Sequence, residues 1–124
     1  MDQEKNIRER RKYVRLQASV EVKYEIIGKP GEIKVFSKDI SAGGLCIVTK
    51  ENLSPDTPLQ LEIVFPDLKD PIRALARVIW QRRVNPQEGQ AQAYFETGIE
   101  FTGISDFDRF NINRYIKERI ESKT

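Results

Sequence analysis

The chain has no histidine and a single cysteine, Cys46, among its 124 residues. The absence of histidine removes the commonest general base and the commonest zinc ligand, so neither a catalytic site nor a metal site is expected. One cysteine cannot form a disulfide within the chain, which favours a reducing compartment. Because Cys46 lies in the apolar run Leu45–Val48, we expect a buried small hydrophobe and not a nucleophile.

Long hydrophobic runs and an excess of one charge are also missing. No apolar stretch approaches the roughly 20 residues needed to cross a bilayer, and the charged first residues do not resemble a signal peptide. We therefore expect a cytoplasmic protein without membrane insertion. The 21 Lys and Arg residues nearly balance 19 Asp and Glu residues, for a net charge of +2. That balance does not favour a nucleic-acid polymer as partner.

The positive charge that exists is concentrated at the N-terminus. Among residues 1–15, basic side chains outnumber acidic ones two to one. Residues 1–12 have no hydrophobic periodicity, so we expect a flexible basic arm that precedes one folded domain, residues 13–124. Such an arm suits an anionic partner, and the plainer alternative is a solvated tail.

Six segments of the folded domain alternate apolar and polar residues, which is typical of strands with one wet face. Turns rich in Gly, Pro, Asn or Asp separate these segments. The pattern predicts a mainly β fold, a six-stranded antiparallel β-barrel. Trp80 ends the inward row of the fifth strand, so we expect it in the core. The six strands begin near Ala18, Ile33, Leu45, Leu59, Ile72 and Ala93.

After Ser105 the apolar spacing changes to three and four residues, which predicts a C-terminal α-helix of about four turns. Ser105 followed by Asp108 is a variant of the capping box. We expect the apolar stripe of this helix to cover the open end or side of the barrel. The stripe comprises Phe107, Phe110, Ile112, Tyr115, Ile116 and Ile120.

A first candidate binding motif lies just before the first strand, at Arg10, Arg11 and Arg15. Arginine presents a planar set of donors that matches phosphate oxygens and the O6/N7 edge of guanine. Several arginines on one short segment could therefore wrap a small anionic nucleotide. A basic tail that aids solubility is the structural alternative.

A second candidate motif lies at the bend Asp39–Gly44. The Asp39 carboxylate can accept hydrogen bonds from the N1–H and N2–H of guanine, and the Ser41 hydroxyl can donate and accept. Gly44 and its neighbouring glycine let a backbone approach a ligand closely. The structural alternative is a tight turn stabilised by the same residues.

The pair Arg11-x-x-x-Arg15 and Asp39-x-Ser41-x-x-Gly44, within a small β-barrel, resembles the PilZ domain family. The resemblance extends over roughly residues 8–121. It includes the terminal helix and the segments Ala76–Trp80 and Gly98–Phe101.

The resemblance implies a receptor domain, not an enzyme, that binds cyclic di-GMP without any further cofactor. Ligand binding would change the conformation of the arm and thereby regulate a downstream effector protein. The additional arginine resembles members of the family that hold two stacked ligand molecules per protomer. The implied ligand-binding residues are Arg10, Arg11, Arg15, Asp39, Ser41 and Gly44.

Three other functions compete with this interpretation. An enzyme would need a base beside Ser41, and no histidine is available. A single-stranded nucleic-acid binder would need exposed aromatic platforms in a basic groove. A nucleotide-independent protein-interaction adaptor of the same fold is the strongest competitor. Five further cations are expected to be solvated outer-face charges, some of which could screen phosphates: Lys34, Lys38, Arg77, Arg82 and Arg83.

Overall fold

A computed structural model describes residues 13–122 of the chain, so the predicted arm with Arg10 and Arg11 lies outside the described residues. Within them the chain forms seven strands and one helix. The elements are β1 Leu16–Gln17, β2 Glu21–Ile26, β3 Lys29–Ser41, β4 Gly44–Thr49, β5 Pro58–Val64, β6 Ile72–Val84, β7 Tyr94–Gly103 and α1 Asp106–Ser122.

The six strands β2–β7 close into an antiparallel barrel. The strand order is β3-β2-β5-β6-β7-β4, and β4 pairs with β3 to complete the circle. Closure depends on the long strand β3, whose first half pairs with β2 and whose second half pairs with β4. The predicted mainly β fold, the six-stranded barrel and the C-terminal helix are confirmed.

The short strand β1 was not predicted from the sequence. Leu16 pairs with Ile40 and Gln17 pairs with Asp39 at the end of β3. Leu16 is buried in the core cluster. Burial of a leucine side chain stabilises a fold by about 1.5–3 kcal/mol, so this contact anchors the segment that carries Arg15.

The barrel interior is filled by the alternate residues of each strand, which form one continuous apolar cluster. Alternation places successive side chains on opposite faces of a strand. The outward residues are therefore available for ligand contacts. The most deeply buried strand residues include Val22, Leu59, Leu61, Ile63 and Val78.

The prediction that Trp80 belongs to the core is wrong, because its side chain is 42% exposed. Val78 pairs with Ile99 whereas Trp80 pairs with Gly98, so the register shifts between them. A bulge of this kind reverses the facing of every later residue in the strand. Ile79 and Trp80 consequently both face outward.

Helix α1 begins as predicted, since the Asp108 amide donates to Ser105 Oγ at 3.1 Å. The predicted apolar stripe is wrong in part: Ile112 is buried, but Phe107 is 73% and Phe110 is 61% exposed. At about 100° per residue, both phenylalanines point more than about 130° away from Ile112. The helix packs on the barrel through Ile112, Tyr115 and Ile116.

Candidate functional site

The two motifs meet at the junction of β1 and β3. Pairing of Gln17 with Asp39 brings the chain before β2 alongside the end of β3. Arg15 Nη1 donates to Asp39 Oδ1 at 2.9 Å, across 24 residues of sequence. The Arg15 side chain is largely exposed, whereas that of Asp39 is mostly covered. The covered Asp39 carboxylate thus holds the Arg15 guanidinium in place, and the guanidinium is open to solvent.

Ser41 and Gly44 stabilise the turn between β3 and β4. Ser41 Oγ accepts from the Gly43 amide at 3.2 Å and donates to the Gly44 carbonyl oxygen at 3.3 Å. A Cβ at Gly44 would lie 2.1 Å from the carbonyl oxygen of Ile99 in β7. Both residues therefore fix the backbone that presents Asp39, and their direct contact with a ligand stays a prediction.

A row of paired residues crosses the outer face of four strands. Asp39 of β3 pairs with Cys46 of β4, Cys46 pairs with Gly98 of β7, and Gly98 pairs with Trp80 of β6. Cys46 is buried, as predicted, and its burial raises the pKa of the thiol to about 11. Cys46 is therefore a neutral, small residue beneath this surface and not a nucleophile.

The indole of Trp80 lies against Gly98. A Cβ at position 98 would come within 2.2 Å of Trp80 Nε1. Glycine in a strand often marks such a close approach by another group. The result is an exposed aromatic ring that lies over Gly98, two strand spacings and therefore about 10 Å from Asp39 along the row.

An ionic cluster flanks this row. Glu96 of β7 has a buried side chain and accepts hydrogen bonds from Lys38 of β3 and Arg82 of β6. Lys38 and Arg82 hold the pKa of Glu96 below its usual range. Two cations share one carboxylate, so the cluster carries a net positive charge beside the row. The sequence identified Lys38 and Arg82 as outer-face charges, but Glu96 was missed because alternation alone does not show a carboxylate covered by its cations.

A second ionic cluster lies on the opposite flank, where Gly44 pairs with Glu100. Arg77 of β6 contacts both Glu100 and Asp56 at 3.2 Å. One cation faces two carboxylates here, so this flank is negative. The positive potential for an anion is therefore on the Lys38 side of the row.

An open apolar groove lies elsewhere on the surface, between β3, the end of β4 and the connection from β6 to β7. Its walls include Tyr24, Phe36, Val48 and Tyr94. The four motif residues that the structure describes, Arg15, Asp39, Ser41 and Gly44, do not line this groove, so it is distinct from the contact between Arg15 and Asp39.

Among residues 13–122, no helix combines the length and apolar character needed to span a membrane. No group of three or more His, Cys, Asp or Glu residues in the same range is arranged to hold a metal ion.

The closed barrel, its terminal helix and the convergence of the two motifs on the outer face define a small β-barrel domain. The profile of the PilZ domain matches residues 9–118 of the sequence. The chain belongs to the PilZ family. No curated protein sequence matches the chain.

Several solved structures are similar to the chain. The Bacillus subtilis inhibitor of motility MotI/DgrA is 28% identical with a TM-score of 0.72, over 93% of this chain and 53% of that one. The PilZ domain of Escherichia coli YcgR with c-di-GMP is 17% identical with a TM-score of 0.70, over 92% and 94% of the two chains. The chain spans about half the length of the MotI/DgrA structure.

A third structure, the MrkH–c-di-GMP complex of K. pneumonia, is 17% identical with a TM-score of 0.74, over 91% of this chain and 53% of that one. At this identity the YcgR and MrkH likenesses establish the fold. They add that the same barrel occurs in complexes with c-di-GMP.

Proposed function

We propose that this chain is a cytoplasmic receptor domain for cyclic di-GMP. One observation carries the proposal: the contact between Arg15 and Asp39 joins the arginine motif and the turn motif on one face of the barrel. The YcgR and MrkH complexes with c-di-GMP support this choice of ligand. The free buried Cys46 agrees with a reducing compartment.

In the proposed complex Asp39 accepts hydrogen bonds from the N1–H and N2–H of a guanine. Arg15 is then released from the carboxylate and donates to a phosphate or to guanine O6 and N7. Arg11 and Arg10 contribute further donors from the preceding segment. Because Asp39 is mostly covered and fixed on β3, it sets the orientation of the guanine, whereas the arginines supply positive charge.

Trp80 offers a flat surface at the other end of the row. Aromatic side chains bind bases by stacking, at about 1–3 kcal/mol per base. Gly98 accommodates this ring, and Cys46, the next residue of the row toward Asp39, carries only a small, buried side chain. The net positive cluster around Glu96 would attract the phosphates of the ligand.

The proposed receptor acts by changing its surface. Contacts from Arg10 and Arg11 to the ligand would hold residues 1–12 against the barrel, which alters the surface that a downstream effector protein meets. Ordering of a segment by a ligand is an established way to convert occupancy into a signal.

A selectivity titration tests the proposal. We expect the wild type to bind cyclic di-GMP and not GTP or a single-stranded oligonucleotide. Asp39→Ala should weaken binding roughly 10–100-fold, because charge-assisted hydrogen bonds contribute about 1.5–3 kcal/mol. Asp67→Ala is the matched control, since Asp67 pairs with Arg119 of α1 outside the row. Equal binding of GTP or the oligonucleotide would contradict the proposal.

Stoichiometry is a separate part of the proposal. We propose two stacked cyclic di-GMP molecules per protomer, with Arg10 contacting the second guanine. Calorimetry should give a ratio near two for the wild type and near one for Arg10→Leu. A ratio of one for the wild type, or no change in the variant, would contradict the role of Arg10.

The competing function is a nucleotide-independent adaptor of the same fold. It is favoured by the structural roles that Ser41 and Gly44 already fulfil in the turn. An adaptor would retain its partner when Arg11 and Arg15 are replaced by alanine, and it would give no heat with cyclic di-GMP.

A further inference from the structure

Tyr13 connects the arginine motif to the turn motif. It lies between Arg11 and Arg15 in sequence, and its ring packs on Gly43 inside the turn. A Cβ at Gly43 would lie 2.9 Å from Tyr13 Cδ2. The ring therefore covers the backbone of the turn that presents Asp39.

The phenol of Tyr13 is held by helix α1. Arg109 Nη1 donates to the Tyr13 hydroxyl at 2.7 Å, across 96 residues of sequence. The Arg109 guanidinium carbon also lies 5.3 Å from the centre of the Tyr13 ring, which is within cation–π range. One side chain thus contacts both the candidate site and the helix.

The Arg109 side chain is not fully satisfied by this contact. Its Nε is buried without a hydrogen-bond partner among residues 13–122. A buried donor without an acceptor is destabilising, so the guanidinium would gain from any rearrangement that supplies one. In the sequence of α1, Arg109 stands between Phe107 and Phe110, and both phenylalanines are exposed.

We infer that Tyr13 and Arg109 are positioning residues that couple ligand occupancy at the Arg15–Asp39 pair to helix α1. This inference rests on the proposed function. Tyr13 and Arg15 are two positions apart in sequence, so their Cα atoms are at most about 7 Å from each other, and a ligand that draws Arg15 away from Asp39 displaces Tyr13. The displacement moves its hydrogen-bond partner Arg109 and changes the packing of α1. By linkage, the contact with α1 in turn sets the affinity for the ligand.

Hydrogen exchange of the α1 amides tests this coupling in the full chain. Tyr13→Phe removes only the hydroxyl, and Arg109→Gln removes the guanidinium. Tyr94→Phe and Arg114→Gln are matched controls, because Tyr94 lies on β7 in the apolar groove and Arg114 pairs only weakly with Glu118 on the same helix. Each protein is measured without ligand and with saturating cyclic di-GMP.

We expect the ligand to change the hydrogen-exchange rates of the amides of residues 106–117 by at least about threefold in the wild type and in both controls. In Tyr13→Phe and Arg109→Gln, the change caused by saturating ligand should be less than half of the change in the wild type. A residue that merely stabilised the fold would lower protection with and without ligand and leave the difference unchanged.

An undiminished α1 response in both Tyr13→Phe and Arg109→Gln at saturation would overturn the inference, whatever their affinity. An absent α1 response in a wild type that binds the ligand would also overturn it and leave the receptor proposal intact. No binding by the wild type is a distinct result, because it removes the receptor proposal and this inference together.

Discussion

At the scale of single residues, the candidate site depends on small side chains as much as on charged ones. Gly98 admits the indole of Trp80, and Gly44 admits the backbone of β7. The sequence indicated that glycines permit close approach, but it could not say which group approaches. In both cases that group belongs to another strand of the barrel.

The contact between Gly98 and Trp80 makes a spectroscopic prediction, because Trp80 is the only tryptophan. Gly98→Ala places a methyl group where the indole lies, so the ring must move into solvent and its emission should shift to the red. Gly89→Ala is the control: Gly89 has φ +90° and no atom near its Cβ position. The control should lose about 1 kcal/mol of stability through backbone strain with unchanged emission. Unchanged emission in Gly98→Ala would contradict the packing.

Glu96 makes a prediction about pH. Its folded pKa is depressed by Lys38 and Arg82, so its contribution to the free energy of unfolding is present above the unfolded pKa of about 4.3. That contribution is lost as the pH falls through the lower folded pKa. Glu96→Gln should lose about 1–2 kcal/mol at pH 7, and its stability should fall less on acidification than that of the wild type.

Urea unfolding between pH 7 and pH 3 measures both effects of Glu96. Glu118→Gln is the control, because Glu118 is exposed on α1 and forms only a weak pair with Arg114. Acid sensitivity in Glu96→Gln equal to that of the wild type would contradict the account.

At the scale of elements, alternation predicted the six strands because each has one buried face. It failed at the bulge in β6, since a bulge depends on the pairing with β7 and leaves no mark in the strand's own pattern. The prediction of the buried helix face was wrong in part for a related reason. At about 100° per residue the six apolar residues spread around more than one face of the helix, and the contact with the barrel decides which of them are buried.

The corrected helix face can be tested by two truncations. Ile116→Ala removes a side chain that is 2% exposed and should lower the free energy of unfolding by about 2–5 kcal/mol. Phe107→Ala removes a larger but exposed side chain and should change it by less than about 0.5 kcal/mol. Chemical denaturation measures both values. A larger loss for Phe107→Ala would restore the stripe that the sequence predicted.

At the scale of the whole molecule, the central observation is that distant segments converge on one face of a closed barrel. The strand pattern predicted the fold, and the two motifs predicted the ligand-binding residues, whose contact with a ligand stays a prediction. They could not predict the pairing of β1 with β3, because a two-residue strand has no periodicity, and this pairing places Arg15 on Asp39. The contact between Tyr13 and Arg109 was equally hidden, since it joins the two ends of the chain.

Ligand binding to the folded state should raise the stability of the whole domain. At a free concentration one hundred times its dissociation constant, a ligand stabilises by about 2.7 kcal/mol. For a domain of this size that corresponds to a rise in Tm of about 10 °C. Differential scanning fluorimetry with cyclic di-GMP should show this rise, and GTP at the same concentration should not. Equal shifts with both nucleotides would contradict a specific site.

Calorimetric titration of cyclic di-GMP into the wild type, Arg15→Ala and Arg73→Ala tests the central claim most directly. Arg73 is an exposed arginine of β6 whose contact with Glu62 spans 3.8 Å. Arg73→Ala therefore removes one positive charge, as Arg15→Ala does, but at a position outside the candidate site. We predict tight binding by the wild type and Arg73→Ala, and binding weakened roughly 10–100-fold in Arg15→Ala. Equal affinities for all three proteins, or no binding by the wild type, would contradict the account.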